Sequence, residues 1–205
     1  MNLAIDTLIE TRASTTRYQA GRELPAAVIR QLVQLATRAP SAYNLQNWKF
    51  VAVHSAAAKA RLHAQAYEQR QVLDASVTFI ICGTLAAHRG LAQALQPSLD
   101  AGILPQRTLD GWVATASESH AGNPQLQRDE ALRSASLAAM TLMLAAQGMG
   151  LASGAMSGFD SAGVAGAFGL TADELPVMLV TVGYPDAGNW PQKLRKPLAE
   201  VLAFA

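Results

Sequence analysis

Residues 129–147 read DEALRSASLAAMTLMLAAQ, and the nature of that stretch decides what kind of molecule the chain builds. Its apolar residues fall on nearly every side of a helix, so it is either a membrane span or a helix buried inside a folded core. A span needs about 20 uninterrupted apolar residues. Arg133, Ser134, Ser136, Thr141 and Gln147 interrupt this run, and Asp129 and Glu130 suit the positive end of a helix macrodipole. The stretch therefore predicts a buried central helix. Ala131, Ala135 and Ala139 form a small-residue stripe at helical spacing. Such a stripe would let another helix approach closely, and that helix could belong to a second copy of the chain.

Working outward, VTFIIC at 77–82 is a continuous apolar run of the kind found in strands buried on both faces. PVMLVTVG from 176 and FVAV at 50–53 are further strand candidates. Leu3, Ile5, Leu8 and Ile9 predict a short amphipathic helix over 3–11. Pro25 suits a first helical residue, and Val28, Ile29, Leu32, Val33, Leu35 and Ala36 follow at helical spacing. Residues 56–71 read as one helix, closed by Asp74-Ala75-Ser76. From 88 to 128 the pattern is weak and predicts short helices and loops, a variable cover containing Leu109 and Trp112. GMGLASG at 148–154 superficially matches a dinucleotide fingerprint, but its last glycine is one residue late and it follows a helix instead of a strand. A helix C-terminus with left-handed glycines explains it better. With no repeats and no linker, one domain is expected over 1–205.

The chain has 205 residues, half of them hydrophobic and only 15% charged, with a formal charge of +1. It offers no basic face for nucleic acid and no acidic tail. Sparse charge on a soluble chain points to surface hidden in an oligomer, not to a membrane. MNLAIDTLIE lacks the basic start and apolar core of a signal peptide, and the lone Cys82 excludes an internal disulfide. A reducing, cytoplasmic setting is expected. His54, His63, His88 and His120 show no metal-ligand spacing, so no metal is expected. Ser157 in GAMSGF lacks the flanking glycines of a nucleophile elbow, and nothing positive supports a hydrolase.

The join between the second helix and the first strand reads RAPSAYNLQNWKF at 38–50. Ordinary connections need only a helix stop and turn residues, yet this one carries hydroxyls, three side-chain amides and two aromatic rings, a lining suited to a planar, heteroatom-rich ligand. At the chain ends, TRASTTR at 11–17 and the K-x-R of Lys193 and Arg195 supply hydroxyls and cations suited to a phosphate. Spacing alone favours ordinary solvated surface cations.

RAS at 12–14, APSAYNLQNWKF at 39–50, YEQRQVLDAS at 67–76, GAMSGFD at 154–160, PVMLVTVGYP at 176–185 and KLRKPL at 193–198 occur in that order. As an ordered set they resemble the FMN-dependent nitroreductase family, in its bacterial NAD(P)H nitroreductase form. The resemblance implies an α+β fold, a central mainly antiparallel sheet flanked by helices, in an interlocked homodimer with two FMN molecules at the interface. It implies that Pro40, Ser41, Ala42, Asn44 and Gln46 reach across to line the flavin held mainly by the other subunit. Trp48 is read differently: it begins the strand, which favours packing in the core over stacking on flavin. Arg12, Ala13 and Ser14 would meet the phosphate and ribityl chain, and Lys193 and Arg195 would complete the clamp. Gln71 falls near the flavin pyrimidine. Ser157 and Gly158 fall where backbone amides approach flavin N5 and O4; Met156 lies within the same matched segment, and Thr16 stands two residues after Ser14, just past the matched RAS.

Some positions depart from the family pattern. Thr16 stands where many members have Lys or Arg, with Arg17 displaced by one. Glu68 stands where asparagine is frequent, and Ser157 where some members have glutamate. The implied reaction passes hydride from NAD(P)H through FMN to a small acceptor such as a nitroaromatic, quinone or activated alkene, with no catalytic side chain required. A non-catalytic flavin- or nucleotide-binding carrier or sensor is the alternative.

Overall fold

VTFIIC is buried at every position because its strand has helices on both sides. The structure, a computed structural model, describes residues 4–205. Strands β1 (Trp48–Val53), β2 (Val77–Thr84), β3 (Ala152–Met156) and β4 (Glu174–Gly183) form one sheet in the order β1-β2-β4-β3, with every pairing antiparallel. Phe79 and Ile81 of β2 pack in one core with Leu32, Ala135, Ala139 and Leu142; Ile80 and Cys82 pack in a second with Val53, Leu62, Val72 and Val164. Burial pushes the Cys82 thiol up to about 11, with Glu174 adding to the rise, so it stays protonated and inert. The β2–β4 register slips beside Pro176, where a residue without a backbone N–H is tolerated in a central strand.

Eight helices surround the sheet among the described residues: α1 (Ile5–Thr11), α2 (Ala26–Ala36), α3 (Ala56–Gln65), α4 (Gln71–Asp74), α5 (Leu91–Asp100), α6 (Gln106–His120), α7 (Pro124–Gly148) and α8 (Ser161–Phe168). Of the expected α1 stripe, Leu3 lies outside the described residues. Helix α7 is the central helix read at 129–147, extended upstream by an Asn123 cap whose side chain accepts from the Leu126 N–H. No helix among the described residues is long and apolar enough to cross a membrane.

The alanine stripe of α7 serves a different neighbour from the one expected. Ala131, Ala135 and Ala139 are fully buried within this chain, and Ala131 lies so close to Gly83 of β2 that a Cβ on the glycine would collide with its carbonyl. Small residues bring α7 onto its own sheet, not onto a second copy. The helix end is as predicted: Gly150 has φ +73°, with Leu151 N–H bonded to Ala146 and Gly150 N–H to Gln147.

Other expectations require correction. The helix predicted over 56–71 breaks after Gln65, because Tyr67 and Glu68 take φ +50° and +54°, outside any right-handed helix. Residues 88–128 hold fewer loops than expected: α5 and the 15-residue α6 pack around Leu91, Leu95, Leu109 and Ala116. Beyond Gly150 the Gly-rich stretch contains β3 and α8, neither visible in its composition.

Candidate functional site

Small residues in β3 allow the N-terminal segment to lie along it. Ser14 bridges Ser153, the Thr15 N–H donates to the Ser153 carbonyl, and a Cβ on Gly154 would collide with the Thr15 carbonyl. Tyr18 secures the segment from below, its buried hydroxyl 2.9 Å from Thr181 Oγ1 and 3.2 Å from the Thr15 carbonyl. Burial pushes that phenol far above its ordinary range, so it serves as a neutral anchor.

Two side-chain amides then tie the C-terminal segment to this one. Asn189 Oδ1 accepts from the backbone N–H groups of Thr16 and Arg17 at 2.9 and 3.0 Å, while its Nδ2 donates to the Arg17 and Asp186 carbonyls. Gln192 Nε2 donates to the Arg12 carbonyl at 3.0 Å. Sequence reading missed both residues, because a single loop amide carries no local mark of what it will bridge.

The outcome is a cationic cleft. Arg12, Ala13, Ser14, Lys193 and Arg195 line it together, and Ser14, Thr16, Trp190 and Lys193 line its continuation. Arg12, Lys193 and Arg195 form no ion pair with a carboxylate among the described residues. Lys193 Nζ sits 5.3 Å from the Trp190 ring centroid, within cation–π range. Like charges gathered without a counter-charge repel one another, and an anion relieves that repulsion. The expected pairing of 12–14 with 193 and 195 is therefore present in the fold.

A second depression is lined by Pro40, Ser41 and Ala42 with Arg133, Ser134 and Leu137 of α7, and shares no lining residue with the cationic cleft. Here the backbone is contorted: Tyr43, Asn44 and Gln46 all have φ near +50°. The Ser41 hydroxyl accepts from the Gln46 N–H at 2.9 Å, holding the turn closed. Asn44 and Gln46 are exposed, while Asn47 is buried. Trp48 is half-buried at the start of β1.

Gln71 opens α4 and is half-buried. Met156 ends β3 with its side chain in the core, which leaves only its backbone to face a ligand. Ser157 is exposed and Gly158 half-buried, and their backbone N–H groups make no hydrogen bond within the described residues. The turn is held by Gln69, also missed from sequence, whose Nε2 donates to the Gly158 carbonyl at 2.6 Å. Apart from Gln71 on α4, the site residues thus occupy a cationic cleft, a strained amide-rich turn, and a turn with two unpartnered N–H groups.

These features have counterparts in known proteins. The sequence matches the nitroreductase family over residues 9–184. It is 34% identical to Bacillus subtilis YodC, provisionally named an NAD(P)H nitroreductase, across 86% of this chain and 87% of that protein. It is 30% identical to a Thermus thermophilus protein named NADH dehydrogenase, across 94% and 92%. Among solved structures, a provisionally described nitroreductase from Exiguobacterium sibiricum, in complex with FMN, superimposes with a TM-score of 0.91 at 28% identity, covering 99% and 98% of the two chains. The chain belongs to the nitroreductase family.

Proposed function

We propose that the protein is an FMN-dependent NAD(P)H oxidoreductase that reduces small planar acceptors such as nitroaromatics and quinones. The observation that carries this reading is the convergence of Arg12, Lys193 and Arg195, without carboxylate partners, on the cleft that Ser14 lines. That donor set fits a phosphomonoester, which brings close to two negative charges and three acceptor oxygens. Thr16 adds a hydroxyl where the family often places a cation, and Ala13 adds close backbone. Gln71 meets the pyrimidine edge. The unpartnered N–H groups of Ser157 and Gly158 suit the N5 and O4 side of the ring, with Met156 holding that turn to the core.

When bound, FMN supplies two-electron chemistry, so that NAD(P)H and a quinone, with one proton, become NAD(P)+ and a hydroquinone. The chain's own residues hold, orient and shield; none is assigned as acid or base. No separate dinucleotide domain is needed when donor and acceptor take turns at one open face.

The working unit in this proposal is a homodimer, in which Pro40, Ser41, Ala42, Asn44 and Gln46 of one subunit line the flavin held by the other. Two observations support it: the depression at Pro40–Ala42 is separate from the cationic cleft, and the C-terminal segment carries Leu194, Leu198, Val201 and Phe204 exposed between 64% and 99%. So much apolar surface on one segment is a mark of an interface. A cytoplasmic location belongs to the same proposal.

Anaerobic titration tests the function. The purified protein should be yellow, bleach on addition of NADH or NADPH, and recover colour with a quinone. A colourless protein that ignores added FMN would end this reading, and a stable monomer that holds FMN would end the shared-site arrangement.

A further inference from the structure

The break between α3 and α4 places one aromatic side chain where packing does not account for it. Tyr67 and Glu68 are consecutive, neither is glycine, and both hold the left-handed conformation that side-chain-bearing residues avoid. The turn is tightly determined. Glu68 N–H donates to the His63 carbonyl, Gln69 N–H to the Ala66 carbonyl, and Asp160 N–H to the Gln65 carbonyl at 2.8 Å. Gln69 Nε2 spans the Ala66 and Gly158 carbonyls, and Ala66 is fully buried beneath. All this structure turns the Tyr67 ring outward. It is 68% exposed, and its hydroxyl has no hydrogen-bond partner among the described residues.

The ring stands at a definite place. A Cβ built on Gly158 would lie 3.9 Å from Tyr67 Cδ2, so the ring borders the turn that carries the free N–H groups of Ser157 and Gly158. Strain held firmly in place beside a ligand-binding turn points to use. A tyrosine ring is large, amphipathic and stiff, with few torsions to immobilise. Its electron-rich face favours an offset or edge contact with an electron-poor ring, and nicotinamide, nitroaromatics and quinones all offer one.

We propose that Tyr67 is the stacking platform of the substrate slot, holding the planar ring of donor or acceptor beside Ser157–Gly158. This rests on the flavin-site reading above and assigns it a residue that selects planar aromatic substrates. Tyr67 is a specificity-determining residue and takes no part in bond making.

The test uses FMN-loaded protein and three variants: Tyr67→Phe, Tyr67→Ala and Tyr67→Gly. The glycine variant removes the ring and accepts the φ of +50°, so it folds even if the alanine variant does not. Oxidised protein is titrated with 4-nitrobenzoate and with NADP+, and binding is read from the perturbed flavin spectrum. Tyr67→Gly and Tyr67→Ala should weaken both ligands by about two- to tenfold, the range of one aromatic contact, while Tyr67→Phe stays close to the parent. Unchanged affinity for both planar ligands in an FMN-loaded Tyr67→Gly protein would overturn the assignment and leave the flavin site standing. Failure of the parent protein to take up FMN would overturn both.

Discussion

Gln192 donates a side-chain N–H to the carbonyl of Arg12 at 3.0 Å, joining positions 180 residues apart. With the four hydrogen bonds of Asn189 to Thr16, Arg17 and Asp186, it holds both walls of the cationic cleft in register. Asn189→Ala leaves the N–H groups of Thr16 and Arg17 without their acceptor. The FMN dissociation constant should rise by roughly tenfold, about one or two ordinary hydrogen bonds. Quenching of flavin fluorescence on binding measures it, and an unaltered constant would show that the tie is ornamental.

The cations themselves are a separate matter. Arg195→Ala should weaken FMN by about 1.5–3 kcal/mol, as expected for a hydrogen bond to a charged group. Because the cleft is open to solvent, added salt should weaken binding in the parent and matter less in the variant. Lys193→Ala should act in the same direction. Equilibrium dialysis at two ionic strengths distinguishes this pattern from general loss of folding.

Gly83 is predicted to admit no side chain. Gly83→Ala would drive a methyl group into the backbone of Ala131, and backbone on a central strand and a long buried helix cannot swing aside. Overpacking of a core costs typically 1–3 kcal/mol, and about 3 or more is expected here. Thermal unfolding measures the loss; a change within about 0.5 kcal/mol, normal for surface substitutions, would contradict the close approach.

Acid should loosen the α5–α6 region first. His88 is 6% exposed, its ring centroid 5.6 Å from that of the buried His120. Burial, then His120 and Arg89, hold its pKa below the ordinary value. His120 Nδ1 lies 2.9 Å from the Ala116 carbonyl, which requires that nitrogen to donate, and the Tyr43 ring covers the same histidine edge-on. The unfolded imidazole titrates near ~6.5, so the unfolded chain binds this proton more readily than the folded one. Stability should be complete above about pH 6.5 and decline as pH falls below it, by at most about 1.4 kcal/mol per pH unit for one proton. His88→Gln should flatten the dependence of the unfolding midpoint between pH 7 and about 5.

The strands with strong composition were legible from sequence: VTFIIC, FVAV and PVMLVTVG each lie within an observed strand. The helix at 129–147 was recognised because five polar residues interrupted it. β3 was not, since ASGAM contains no β-branched residue; its smallness is imposed by Thr15 lying across Gly154, a tertiary demand with no local signature. The α3 break was hidden for the opposite reason. Tyr67 and Glu68 are ordinary helix-compatible residues in a left-handed turn that the neighbouring Gln69 ties to Gly158, 89 residues away. The cations of the cleft were visible as Arg12, Lys193 and Arg195, but the amides that bring them together were not. A lone asparagine or glutamine looks the same in a loop whether it braces two segments or faces water.

The lacing of Gln192 to Arg12 also sets an order of events in the cell. Domains begin to fold as they emerge from the ribosome, N-terminal portions first, and here Arg12 and Ser14 wait for Lys193 and Arg195, which follow some 180 residues later. Neither segment alone carries the full set of cations that line the cleft. The cleft therefore exists only where two remote segments meet, so its attraction for an anion rises and falls with the integrity of the whole fold.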